Sequence, residues 1–217
     1  MADIFHEVDE EVRREQLQKL WERYSIYFIA LAVLIVAAIG AWRAYEWWLA
    51  KQAAAAGAQF EQALTLSEQG KHDEAEQAFT KIATDAPAGY RMLARFRAAA
   101  ELSQTKQSDA VKAFDQIAAD SSLGQTLQDL ASLRAGMLLV DSAPLAELAK
   151  RLEPLTEPGR SFRASAREFL ALSAWHNHDA VAARKYIDML ATDAETPSGV
   201  RARAEVLSAL IAAGGKS

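Results

Sequence analysis

Residues Tyr24–Trp42 read YSIYFIALAVLIVAAIGAW, a run without formal charge that is bounded by Arg23 and Arg43. As a helix rising about 1.5 Å per residue, this run covers roughly 28 Å, close to the hydrocarbon thickness of a bilayer. Aromatic residues gather at both ends, with Trp21, Tyr24 and Tyr27 on one side and Trp42, Tyr45, Trp47 and Trp48 on the other. Such rings settle at headgroup depth, one end apolar and the other wet. A buried core helix seldom carries belts at both ends, so the run is read as a transmembrane helix. It divides the chain into residues 1–23, a helix on one side of the membrane; residues 24–49, the span with its aromatic exit; and residues 50–217, the soluble bulk.

Direction follows from the basic residues near the span. Arg13, Arg14, Lys19 and Arg23 precede it, whereas only Arg43 and Lys51 follow closely. The more basic flank stays in the cytoplasm, which puts the N-terminus inside and the C-terminal bulk outside. A cleavable signal peptide is the competing reading, because Ala53–Ala58 offers small residues to a signal peptidase. The apolar run is too long for a signal peptide, the preceding segment is mixed in charge, and the small residues begin too far downstream. The anchor is expected to be retained.

The leader reads as a helix. Asp3 can cap it, and Glu7, Asp9, Glu10 and Glu11 suit the positive end of its dipole. Leu17, Leu20, Trp21 and Tyr24 share one apolar face that runs into the span.

Beyond the anchor the chain repeats itself. Ala75–Asp85 reads AEQAFTKIATD and Ala110–Asp120 reads AVKAFDQIAAD, with the alanines, Phe79/Phe114, Ile82/Ile117 and Asp85/Asp120 matching at a spacing of 35 residues. Within each copy the apolar residues recur every three or four positions, one face of a helix. A weaker copy spans Ala182–Asp193, with Tyr186 and Met189 near the Phe and Ile positions. Gly70 precedes the first copy and Pro87 follows it, which suits a tight turn before the helix and a stop after it. This segment resembles the second half of a tetratricopeptide repeat, in which a small residue, a ring and an aliphatic mark the packing face of helix B. Pro87-Ala88-Gly89, Pro158-Gly159 and Pro197-Ser198-Gly199 each open an alanine-, arginine- and leucine-rich pattern that reads as a helix A. Helices are expected at about 53–68, 71–85, 88–103, 107–119, 123–140, 144–152, 159–175, 179–192 and 198–212. The expected fold is all-α: one N-terminal transmembrane helix, then a tetratricopeptide-repeat-like α-solenoid of four helix pairs and a capping helix. The third pair, bracketed by Pro144 and Pro154, fits the pattern least well.

Chemistry is hard to find in this chain. There is no cysteine, which excludes disulfides and thiolate metal sites. The histidines are His6, His72, His176 and His178, and the last two point to different faces of a helix. No phosphate-binding glycine loop, zinc helix or nucleophile elbow is present, so no enzyme, cofactor, metal or small-molecule substrate is expected. Residues 51–217 carry nineteen basic and twenty-one acidic groups, a balance that argues against nucleic acid as a partner.

Arginines are the more telling set. Arg91, Arg95 and Arg97, Arg134, Arg163 and Arg167 lie on expected A helices, which line the concave groove of tetratricopeptide arrays. Arg91, Arg95, Arg134, Arg163 and Arg167 are the candidate partner-binding residues, since a guanidinium fork can hold a carboxylate bidentately. Ordinary ion pairs with neighbouring helices are the competing role. A clamp for a C-terminal carboxylate needs Asn on the A helices, and the chain's one Asn, Asn177, falls in an expected loop. Within the span, Ala37, Gly40 and Ala41 are candidates for close approach by another transmembrane helix.

The leader DIFHEVDEEVRREQLQKLWERY, the exit WRAYEWW and the segment AEQAF…APAGYRMLARFRAA together resemble the YfgM-like family, ancillary subunits of the Sec translocon, and its alphaproteobacterial members in particular. The resemblance implies a single-pass protein of the bacterial inner membrane with its array in the periplasm. It further implies partners in the SecYEG channel and a membrane-anchored prolyl-isomerase-type chaperone, and no catalytic residues. The alternative is a scaffold for cell-envelope assembly or stress regulation with no role in export.

Overall fold

The computed structural model describes residues 3–214. Among them it contains nine α-helices, two short 3-10 turns and no strand. The all-α expectation holds. The helices are α1 (Asp3–Glu68), α2 (His72–Asp85), α3 (Ala88–Thr105), α4 (Gln107–Ala118), α5 (Gln125–Leu139), α6 (Leu145–Leu152), α7 (Arg163–His176), α8 (Ala180–Thr192) and α9 (Ser198–Gly214). The chain divides into two compact units, Met1–Ala54 and Ala55–Ser217.

The first unit is helical throughout its described length. Three expected segments, the leader, the span and the helix from about 53, form the single helix α1 of 66 residues. The physical reason is local. No proline interrupts residues 3–68, and Ala53–Ala56 has the highest helix propensity of any residue type. From Trp21 onward the helix is long and apolar enough to cross a membrane, and none of its apolar window is buried. Trp21 stacks on Phe28, Tyr45 on Trp48, and the Lys51 ammonium lies 5.3 Å from the Trp47 ring centroid. The leader's apolar face at Leu17 and Leu20, and capping by Asp3, fall on side chains outside those described.

The second unit is an antiparallel helix array with its core in layers. The end of α1, α2 and α3 enclose Ala63, Phe79, Ile82 and Ala94; Phe60 meets Phe79 edge-on at 5.1 Å. Next, α3, α4 and α5 enclose Ala99, Phe114, Ile117 and Ala135. The largest layer joins α5 to α9 around Leu148, Leu152, Leu170, Ile187, Leu190 and Leu207. Each B helix is thus wedged between two A helices, which is why its apolar stripe must be wide.

Burial exposes a repeat that residue identity hides. Ala75, Phe79 and Ile82 are buried in α2, and Ala110, Phe114 and Ile117 in α4. The same four-then-three spacing recurs as Leu148, Leu152 and Leu155 in the third pair and as Ala183, Ile187 and Leu190 in α8. Ile187 and Leu190, one residue beyond Tyr186 and Met189, therefore hold the Phe and Ile positions. Tyr186 is buried beside them and its hydroxyl donates to Glu153 Oε1 at 2.8 Å. On the A helices, Ala63, Ala99, Ala135, Ala171 and Leu207 recur every 36 residues, all buried.

Two local features of the third and fourth pairs have steric causes. Helix α6 ends at Leu152, because Pro154 cannot donate a helical hydrogen bond, and a 3-10 turn over Glu153–Thr156 carries Leu155 into the core. Helix α7 then starts at Arg163 rather than near 159, since Gly159 turns the chain at φ 87°. The A-to-B turns of the first and fourth pairs use a left-handed residue five places before the first buried B position: Gly70 at φ 75° and His178 at φ 61°. Gly136 serves a different purpose. A Cβ there would lie 2.8 Å from Leu152 Cδ2, so glycine is what lets α5 and α6 close.

Candidate interaction face of the array

The five candidate arginines separate by what their guanidinium groups already hold. Arg95 of α3 donates to Asp120 Oδ2 at 2.6 Å, and Asp120 also accepts from the Ser122 hydroxyl and backbone N–H at 2.6 and 3.1 Å. Those bonds, Ser122 first and Arg95 second, hold the Asp120 carboxyl down to about 2. Arg163 of α7 grips Asp193 with Nε to Oδ2 at 2.7 Å and Nη2 to Oδ1 at 3.2 Å, and it also donates to Glu195. Arg167, one turn on, is only 5% exposed. It donates to the Thr156 carbonyl from Nε and Nη2 at 3.1 and 2.7 Å and to Asp193 from Nη1 at 2.7 Å. Arg163 foremost, then the Glu195 N–H and Arg167, hold the Asp193 carboxyl far below the usual carboxylate range, and Arg163 itself is pushed up by the same pair.

These three arginines tie the far ends of helix pairs together. Arg91 and Arg134 differ. Both are exposed, and neither guanidinium has a hydrogen bond or ion pair among the described residues. The structure therefore leaves two of the five forks open toward solvent.

Further charges are structural and were invisible as such in the sequence. Glu101 of α3 is buried and accepts from Ser67 Oγ at 2.7 Å while paired with His72 Nδ1 at 2.8 Å. Asp129 of α5, also buried, accepts from Gln125 at 2.7 Å and Arg160 at 3.1 Å. Arg151 of α6 holds Asp115 of α4 bidentately at 3.1 and 2.9 Å. Glu168 of α7 takes Arg203 of α9 in the same two-pronged way. Buried carboxylates of this kind need a partner, because an unpaired charge in the interior is too costly. Asn177 sits at the end of α7 and donates to the Ser173 carbonyl at 2.8 Å, a capping role.

One open feature on the A helices is apolar. Met137 of α5 and Asp141 in the turn after it face Phe169, Leu172, Trp175 and His176 of α7 across a surface cleft of about 240 Å³. Met137 and Trp175 are each 43% exposed, unusual for side chains of their size. Trp175 is the one tryptophan beyond residue 48, and that isolation was the available sequence signal. On α1, Ala37, Gly40 and Ala41 are exposed, and a Cβ built at Gly40 meets nothing within 4 Å. No group of three or more His, Asp or Glu side chains gathers as a metal site among the described residues.

A search of curated proteins and a search of solved structures each returned no match. A family model, the tetratricopeptide repeat-like domain, matches residues 18–170. Repeat domains of this type are typically non-catalytic modules that bind other proteins. That match covers most of the chain, its anchor-like helix included, and the chain belongs to the tetratricopeptide repeat-like domain family.

Proposed function

We propose that this protein is a membrane-tethered interaction scaffold for protein export. In this reading residues 1–23 lie in the cytoplasm, residues 24–49 cross the bacterial inner membrane, and residues 50–217 stand in the periplasm. The observation that carries it is the stretch after Trp21, long enough to span a bilayer and with its apolar window wholly unburied, on the same helix that supplies the first layer of a protein-binding repeat array. Exposed isoleucine, valine, phenylalanine and tryptophan over such a length need an apolar solvent. Aromatic residues at both ends and the basic leader support the spanning arrangement and its direction.

The partners follow from the resemblance to YfgM-like subunits: the SecYEG channel, and either a membrane-anchored prolyl-isomerase-type chaperone or the emerging chains themselves. Tethering acts through concentration. Confinement to the membrane beside a channel raises the encounter rate of a weak binding surface with each emerging segment, without new contacts. Ala37, Gly40 and Ala41 offer a side of the helix on which another transmembrane helix can pack closely.

Photo-crosslinking in intact cells tests the proposal, with probes placed at Gly40 and at Arg91. Export components among the captured proteins are the expected result. Capture of cell-wall or stress-signalling proteins in their place would move the scaffold to another process.

A further inference from the structure

The cleft between α5 and α7 joins apolar walls to a single carboxylate. Met137 and Val140 line one side, and Phe169, Leu172 and Trp175 line the other. Met137 and Trp175 are each 43% exposed, so the thioether and the indole reach solvent. Two polar side chains complete the lining, Asp141 in the turn after α5 and His176 in the last turn of α7. Asp141 is exposed, and its carboxylate has no hydrogen bond or ion pair among the described residues. No lysine or arginine lines the cleft.

An open carboxylate beside an exposed indole suits a cation on an apolar stem. The ring face attracts the cation through its quadrupole, and the carboxylate adds charge-assisted hydrogen bonds. Arginine answers both better than lysine, because its planar guanidinium stacks on a ring, is weakly hydrated and meets a carboxylate with two N–H groups.

We propose that this cleft receives an arginine side chain presented by a partner protein segment. Its stem lies along Met137 and Leu172, and its guanidinium meets the Trp175 ring and the Asp141 carboxylate. The inference rests on the reading of the array as a protein-interaction surface and names the side chain that this part of the surface selects. A volume of about 240 Å³ suits one long side chain and is too small for a helix. The flexible thioether of Met137 adapts to the aliphatic stem. Asp141 repels an acidic side chain, and an uncharged one leaves that carboxylate covered without a partner.

The test uses the full-length protein in phosphatidylcholine nanodiscs, with empty nanodiscs as the blank. Three short fluorescein-labelled peptides, identical except for a central arginine, citrulline or glutamate between two leucines, are titrated and read by anisotropy. The arginine peptide is expected to bind at least about tenfold more tightly than the other two. Asp141→Asn should bring it to the level of the citrulline peptide. Trp175→Leu should weaken it while keeping an apolar wall. Both side chains are exposed, so the helical circular dichroism of both variants should match wild type.

Equal binding of the arginine and citrulline peptides, tighter binding of the glutamate peptide, or an arginine preference that survives Asp141→Asn would overturn the inference. Capture of export components from Gly40 and Arg91 alongside any of those results would remove the cleft's role and leave the scaffold intact. An arginine preference that depends on Asp141, with no export component captured in cells, would remove the export reading alone.

Discussion

Single residues in this array act through backbone conformation and through paired charge. His178 adopts φ 61° at the turn position that Gly70 fills in the first pair. A residue with a Cβ is strained there and glycine is not, so His178→Gly should stabilise the array by about 0.5–1 kcal/mol in urea denaturation. The gain is limited because glycine also loosens the unfolded chain. Asp120 is governed by charge. Its carboxyl is held near about 2 against an ordinary value of 3.8. A depressed carboxylate stabilises the fold above its unfolded pKa and loses that contribution as pH falls toward its folded one. Denaturation midpoints should therefore drop between about pH 4 and pH 2, and Asp120→Asn should flatten part of that drop while lowering stability at pH 7. A profile identical to wild type would show that Ser122 and Arg95 hold the loop without regard to the charge.

At the scale of elements, the third helix pair is the informative one. Its sequence departs from the repeat, with leucines where α2 and α4 place alanine, phenylalanine and isoleucine, and Pro154 interrupts its end. Yet Leu148, Leu152 and Leu155 hold the same three buried positions. At the phenylalanine position Leu152 packs against Gly136 of the facing helix, whose missing side chain makes room for it. Gly136→Ala should cost about 1–3 kcal/mol through overpacking. Leu152→Ala should cost about 2–5 kcal/mol through the cavity it opens. The double variant should recover part of the sum, because the added methyl fills space that the lost side chain vacates; strict additivity would argue that the two do not touch.

How much of this was legible beforehand depended on the range of the interaction. Helix positions in pairs one and two were readable because a stripe of alanine, phenylalanine and isoleucine at helical spacing is a local pattern, whereas in pair four the buried positions fall at Ile187 and Leu190, one residue beyond Tyr186 and Met189. The register of α6 was not readable, since Leu152 makes sense only opposite Gly136. Arginine roles were unreadable for the same reason: Arg95, Arg134 and Arg167 are alike in sequence, and only their distance from Asp120 or Asp193 separates a brace from an open fork.

For the whole molecule, the decisive property is an apolar helical stretch long enough to cross a membrane, with none of its apolar window buried. Replacing Val36 with Arg near the middle of the span should raise the cost of membrane insertion by roughly 2.5–3.5 kcal/mol. Alkaline carbonate extraction should then release a larger soluble fraction than for wild type, and unchanged membrane retention would point away from a spanning anchor. Beyond that anchor, the composition of the chain decides its class. Alanine-rich helices approach closely, their B stripes repeat, and cysteine is absent, so layered helix packing has to hold the array without disulfides or thiolate metals. Periodicity, span length and flanking charge are properties of neighbouring residues, and the sequence alone determined an anchor-like helix followed by an all-α repeat. Which arginines stay open, where the third pair sets its leucines, and how Met137 and Trp175 come to share a cleft depend on residues far apart in sequence, from Gly136 and Leu152 to Met137 and Trp175, meeting in space. Only the tertiary structure decides those, because packing and charge pairing depend on distance through the fold and not along the chain.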